Sequence, residues 1–125
     1  MTVPASMRQA RFDGAGGPEV IRVETAPVPT PGPGQVLIEV AAAGVNRPDC
    51  LQRAGNYPPP PGATDIPGLE VAGTVVAVGE GVTSPRLGEK VCALVVSGGY
   101  AEYCVADAPL CLPVPAPLSL TEAAG

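Results

Sequence analysis

Seventeen prolines and sixteen glycines run through a chain of 125 residues, and that density rules out an architecture of long, uninterrupted helices. Each interior proline removes a backbone donor and clashes with the preceding turn, and each glycine adds conformational freedom that a helix must suppress. They do not gather into one low-complexity tract. They stand between short apolar runs, where they read as turns between short strands. The chain has no Trp, one Phe and three Tyr, so Val, Ala and Leu must build the core. A chain of this length fits one domain that buries roughly two-thirds of its unfolded surface. The expected fold class is mainly β: an antiparallel, partly open barrel with one or two short helices.

The pattern of apolar residues places the elements. Met7–Phe12 and Val20–Thr25 read as two strands joined by a turn at 14–18; Ile21 and Val23 alternate with Arg22 and Glu24 as a half-buried strand requires. The proline-rich stretch 26–34 reads as a loop, since proline cannot feed a ladder of hydrogen bonds. Gln35–Val45 is almost continuously apolar, as a strand covered on both faces would be. At Asn46–Arg53 the pattern changes to a helix of about two turns. Asn46 suits the N-cap, Pro48 is tolerated in the first turn, Asp49 sits at the positive end of the dipole, and Gly55 suits the end. Tyr57 then opens a rigid extended segment, Pro58–Pro61, read as a surface loop rather than a ligand for a proline-binding domain. Further strands are expected at Val71–Val78, Lys90–Val96, Tyr100–Ala106 and Leu110–Val114, separated by glycine turns.

Several function classes fall away. A formal charge of −5, with one Lys and six scattered Arg, does not suit a nucleic-acid backbone, which needs clustered cations. No apolar run reaches the length of a membrane span, and Met1–Arg11 lacks the apolar core of a signal peptide; the expected location is the cytoplasm. There is no His, and Cys50, Cys92, Cys104 and Cys111 form no CxxC pair, so no metal site is expected. The cysteines read as reduced, buried thiols. Gly14, Gly16 and Gly17, and later Gly79 and Gly81, do not complete a GxGxxG pattern, because Glu19 and Ser84 stand at the third position. Neither group opens a helix, so both read as hairpin turns rather than phosphate cradles. Ser119–Glu122 is a capping box that announces a helix, yet three residues follow it. A truncated chain or incomplete gene product is expected, with a natural short tail as the other reading.

Three blocks, 31–58 (PGPGQVLIEVAAAGVNRPDCLQRAGNYP), 67–91 (PGLEVAGTVVAVGEGV…LGEKV) and 98–105 (GGYAEYCV), together resemble the medium-chain dehydrogenase/reductase superfamily. The resemblance implies a leader at 1–6, a GroES-like catalytic domain over 7–118 and the start of an interdomain helix at 119–125. It also implies a nucleotide-binding domain beyond this chain. The zinc alcohol dehydrogenases of the superfamily place Cys where this chain has Asn46 and His where it has Leu69. The Asn46-x-x-Asp49 pattern is similar instead to the zinc-independent quinone oxidoreductase branch. That likeness implies NADPH as cofactor, a quinone or other small acceptor as partner, and a homodimer when full length. It also implies Asn46, Asp49 and Tyr57 as catalytic residues, with Asn46 bordering the cofactor as well. Some members carry a second tyrosine where this chain has Leu51.

The chemistry is physically coherent without metal. A quinone is a strong electron acceptor, so positioning and exclusion of water suffice. The Asn46 amide and the Tyr57 hydroxyl are donors suited to a carbonyl oxygen on which charge builds. As helix-capping residues, Asn46 and Asp49 also have a purely structural reading, and Tyr57 has one as a loop aromatic. Glu70, in apolar surroundings, is expected to bond backbone groups. Two alternatives stay open: a related enoyl reductase, and a non-catalytic module of the same barrel such as a co-chaperonin or crystallin-like protein.

Overall fold

The computed structural model describes residues 2–125. Two antiparallel strands, β1 (Ser6–Phe12) and β2 (Ile21–Pro27), form a separate ribbon. The main sheet contains β3 (Gln35–Ala43), β4 (Glu70–Val78), β5 (Lys90–Leu94), β6 (Tyr103–Asp107) and β7 (Cys111–Pro113), in the spatial order β6-β3-β4-β5-β7. Helix α1 (Arg47–Ala54) follows β3, and the short α2 (Leu120–Ala123) packs against β3, β4 and β5.

The sheet is curled, and the connectivity forces it. β6 and β7 lie at opposite ends of the strand order, yet only a single 3-10 turn, Ala108–Leu110, joins them. Three residues cannot cross a flat five-stranded sheet whose strands lie about 4.8 Å apart. The ribbon leans on the open side through the bridge between Gln9 and Ala101. A mainly β, partly open barrel with two short helices is the architecture expected from the sequence.

Alternation supplies the core. Val91, Ala93 and Val95 point inward between the exposed Lys90, Leu94 and Val96, and Cys104 and Ala106 do the same in β6. They meet Val36 and Ile38 of β3 and Val71 and Val75 of β4. Each fully buried valine or isoleucine contributes roughly 1.5–3 kcal/mol. Gly73 is the closest approach of backbones in this core, since a Cβ there would run into the Glu39 carbonyl oxygen.

Four expectations need correction. Ala26 and Pro27 are not loop: they pair with Met7 and Ser6, because the last position of an edge strand demands no donor from proline. β3 is covered on both faces only at Val36–Ile38. Glu39 is exposed, accepting a hydrogen bond from the Tyr103 hydroxyl at 3.0 Å, and the strand ends at Ala43. Regular pairing in β6 starts at Tyr103 rather than Tyr100, and β5 ends at Leu94 rather than Val96. All four cysteines are free thiols, but only Cys104 is buried; Cys50, Cys92 and Cys111 are partly accessible.

Burial pushes the Cys104 thiol from 9.0 up to about 12. The folded chain therefore holds that proton more tightly than the unfolded chain does. The associated stability is intact below pH 9 and is lost as pH rises toward 12. Denaturant unfolding between pH 8 and 11 should show falling stability, and Cys104→Ala should flatten part of that slope while costing about 1 kcal/mol at neutral pH.

Candidate functional site

Where β3 ends, the chain turns through Gly44 and Val45 into α1, and this turn organises a polar cluster beside the core. The β3–β4 register, with Ala43 opposite Val71, puts Gly44 beside Glu70, and the Gly44 amide donates to the Glu70 carbonyl at 3.1 Å. A register irregularity between Val40 and Ala42 bends the strand just before this point, as bulges next to functional sites do. Gly44 leaves no room for a side chain: a Cβ would collide with the Glu70 carboxylate and would lie 2.6 Å from the Ala124 carbonyl oxygen.

Asn46 is the N-cap of α1 and Asp49 its third residue, in capping-box register, and Gly55 ends the helix with φ 91°. The return arm closes with good geometry, the Asn46 amide N–H donating to Asp49 Oδ2 at 2.9 Å. The Asn46 side chain makes no cap hydrogen bond; its Nδ2 donates to Glu70 Oε1 at 3.1 Å. An ionised carboxylate only accepts, so the amide nitrogen must face Glu70. The other N–H of this amide makes no further hydrogen bond at this half-buried position, and the Asn46 backbone carbonyl accepts from the Asp49 amide at 3.0 Å.

Asp49 is only 5% exposed, and among the described residues neither it nor Glu70 enters an ion pair. Its second donor comes from across the fold. The Tyr100 hydroxyl bonds to Asp49 Oδ2, with the Gly44 carbonyl as a further acceptor at 3.2 Å. Burial first, and then the bond to Asp49, hold the Tyr100 phenol well above its ordinary value. Asp49 Oδ1 is buried with no hydrogen-bond partner.

The structure thus brings Asn46 and Asp49 together and adds Glu70 and Tyr100. Glu70 bonds the Asn46 side chain, where the sequence suggested backbone groups. Tyr100 went unnoticed as a site residue; its only signal was a place after the Gly98-Gly99 turn. Tyr57 stands beyond the opposite end of α1, a helix about 12 Å long at 1.5 Å per residue. It is 41% exposed.

A cavity of about 530 Å³ touches none of these residues. It lies between the β1–β2 ribbon and β6, and its polar lining is already engaged: Gln9 donates to Glu24, Ser97 to the Thr64 carbonyl and Tyr103 to Glu39. A smaller cavity of about 330 Å³ reaches Glu70 between β5, β7 and α2. The polar cluster is the candidate site, because a buried carboxylate and an oriented amide offer chemistry that an apolar groove does not. Among the described residues, no group of three or more His, Cys, Asp or Glu is arranged to hold a metal. No described helix is long and apolar enough to cross a membrane.

Comparison with known proteins follows the same lines. Residues 32–116 match the family described as alcohol dehydrogenase GroES-like domain. A quinone oxidoreductase from Lama guanicoe is 46% identical over 102 residues, covering 80% of this chain and 31% of that protein. The human synaptic vesicle membrane protein VAT-1 homolog-like protein superposes with a TM-score of 0.89 at 33% identity, over 95% of this chain and 38% of its own. Escherichia coli quinone oxidoreductase complexed with NADPH gives 0.86 at 31% identity, over 94% and 36%. The chain spans about a third of the length of the curated relatives it matches.

The crowding at Gly44 gives a direct test. Gly44→Ala should lower stability by about 1–3 kcal/mol through overpacking, measured as a lower urea midpoint with unchanged slope.

Proposed function

Because the chain belongs to the alcohol dehydrogenase GroES-like domain family, within the medium-chain dehydrogenase/reductase superfamily, we propose that it forms the substrate-side part of an oxidoreductase passing electrons from NADPH to a quinone without metal. The observation that carries this reading is the Asn46 amide. Glu70 fixes its nitrogen, which holds the second N–H of the same amide in a set direction. An N–H held this way donates to a quinone oxygen as negative charge builds on it, and it needs little reorganisation to do so. We assign Tyr57, exposed in the loop beyond α1, as a second donor to the acceptor. Relatives named as quinone oxidoreductases support the choice of acceptor.

The phosphates of NADPH do not fit this chain. The one helix of two turns, α1, has its N-terminus already occupied by the Asp49 carboxylate, and no glycine-rich turn precedes it. A negatively charged cap repels the phosphate that such a terminus would otherwise attract. We therefore assign phosphate binding to a part of the intact protein outside these residues. When bound, NADPH supplies the hydride. This chain's own residues orient the acceptor, through Asn46 and Tyr57.

In the intact protein, Asn46→Ala should lower kcat/KM for quinone reduction by about tenfold to a hundredfold, less than a fully enclosed oxyanion donor because Asn46 is half-buried. Tyr57→Phe should lower turnover by a few-fold at most about tenfold, with NADPH affinity near wild type. Following NADPH absorbance with a soluble quinone tests both, and full activity in both variants would remove the site. Metal independence is tested separately. The sequence offers no His and the cysteines are scattered, so elemental analysis should find no stoichiometric zinc and a chelator should leave activity unchanged. One zinc per chain with chelator-sensitive turnover would overturn it.

A further inference from the structure

Resting on the reading just given, we propose that Tyr100 is a positioning residue that sets the orientation of Asn46 through Asp49. Three bonds in series form the link. The Tyr100 hydroxyl donates to Asp49 Oδ2. The same oxygen accepts the Asn46 backbone N–H at 2.9 Å. The Asn46 amide, carried by that backbone, is then held at its far end by Glu70. Asn46 is thus fixed twice, its main chain by the Asp49–Tyr100 pair and its side chain by Glu70.

A helix cap alone does not account for this arrangement. Capping α1 requires Asp49 and the Asn46 amide; it does not require a phenol 51 positions away. Tyr100 is itself braced on both sides. Its amide donates to the Pro67 carbonyl at 2.9 Å, and its carbonyl accepts from Ala10 at 2.8 Å. Gly98, two residues earlier, takes φ 94°, and Gly68 approaches so closely that a Cβ there would lie 2.5 Å from the Tyr100 nitrogen. The ring therefore enters the site from a rigid frame made by β1 and the 66–68 segment.

The energetics point the same way. Asp49 is nearly fully buried, and among the described residues no cation faces it; a desolvated carboxylate depends on each donor it has. Asp49 Oδ1 has none, which leaves both Tyr100 and Asn46 bonded to Oδ2. If Tyr100 is removed, the Asn46 amide is the one remaining donor. The carboxylate can then rotate to share it or to reach solvent, and the N-cap backbone moves with it. Nothing in Tyr100 needs to touch substrate for this to matter, because a small misalignment of a donor costs much of its contribution.

The test is a mutant cycle in the intact protein, with NADPH and a soluble quinone. Tyr100→Phe keeps the ring and removes the donor; kcat should fall by about tenfold, with KM for NADPH changed by less than about twofold. In an Asn46→Ala background the same change should cost less than about twofold, because the group being oriented is gone. Hydrogen exchange gives a readout independent of turnover: the Asn46 amide should exchange about tenfold faster in Tyr100→Phe, with the Ile38 and Val75 amides unaffected. Equal losses from Tyr100→Phe in both backgrounds would overturn the proposal, since Tyr100 would act on the fold at large. Wild-type turnover in Tyr100→Phe with impaired Asn46→Ala would overturn it while leaving the substrate site standing. Full activity in Asn46→Ala would overturn the site and the proposal together. Should Tyr100→Phe fail to fold, Asp49→Ala takes its place in the cycle under the same criteria.

Discussion

The register between β3 and β4 is the constraint on which the site depends. Val36 and Ile38 on one strand and Val71 and Val75 on the other fill the same core, and Gly73 lets the two backbones close on each other. With that register fixed, Glu70 stands at the start of β4 beside Gly44, within reach of the Asn46 side chain. A slip of one residue would exchange the faces of β4, putting Thr74 where Val75 packs and turning Glu70 away. The apolar core thus places two polar groups that lie 24 positions apart. Their geometry is a by-product of valine packing.

Much of this was legible in the sequence because the relevant signals are local. Glycine and proline mark the turns that bound β5 and β6, and Asn46, Pro48, Asp49 and Gly55 mark the start and end of α1 within a residue; the alternation read at Ile21 and Val23 misled, since both are exposed. The pairing of Asn46 with Asp49 was legible for the same reason, as it lies within one helical turn. Glu70 and Tyr100 were not. Their roles exist only once β4 and the turn before β6 are folded against α1, and no local pattern encodes a phenol's partner on another element. Ala26 and Pro27 were misread because proline's missing donor was given more weight than the tolerance of an edge strand's last position.

The electrostatics of α1 separate two demands on a helix N-terminus. Such a terminus attracts either an internal carboxylate or an external anion, and here Asp49 has taken the place. The occupied terminus gives up anion binding and gains an N-cap whose side-chain amide is held by Glu70. An amide suits a carbonyl substrate better than a bare terminus does, since it offers both a donor and an acceptor in one plane.

The strand order described above also governs how the chain assembles. Gln35 and Asp107 are partners at the β3–β6 edge although 72 positions separate them, whereas Ala43 and Val71 close a much shorter loop. Loop-closure entropy grows with the length of chain enclosed, so the cheaper order forms β3–β4 and β4–β5 before β6 arrives. Until then β3 presents an unpaired edge with Val36 and Ile38 uncovered. The predominance of such distant pairings places the domain among slow folders, on millisecond-to-second timescales, and makes the docking of β6 the step that ends its exposure to self-association.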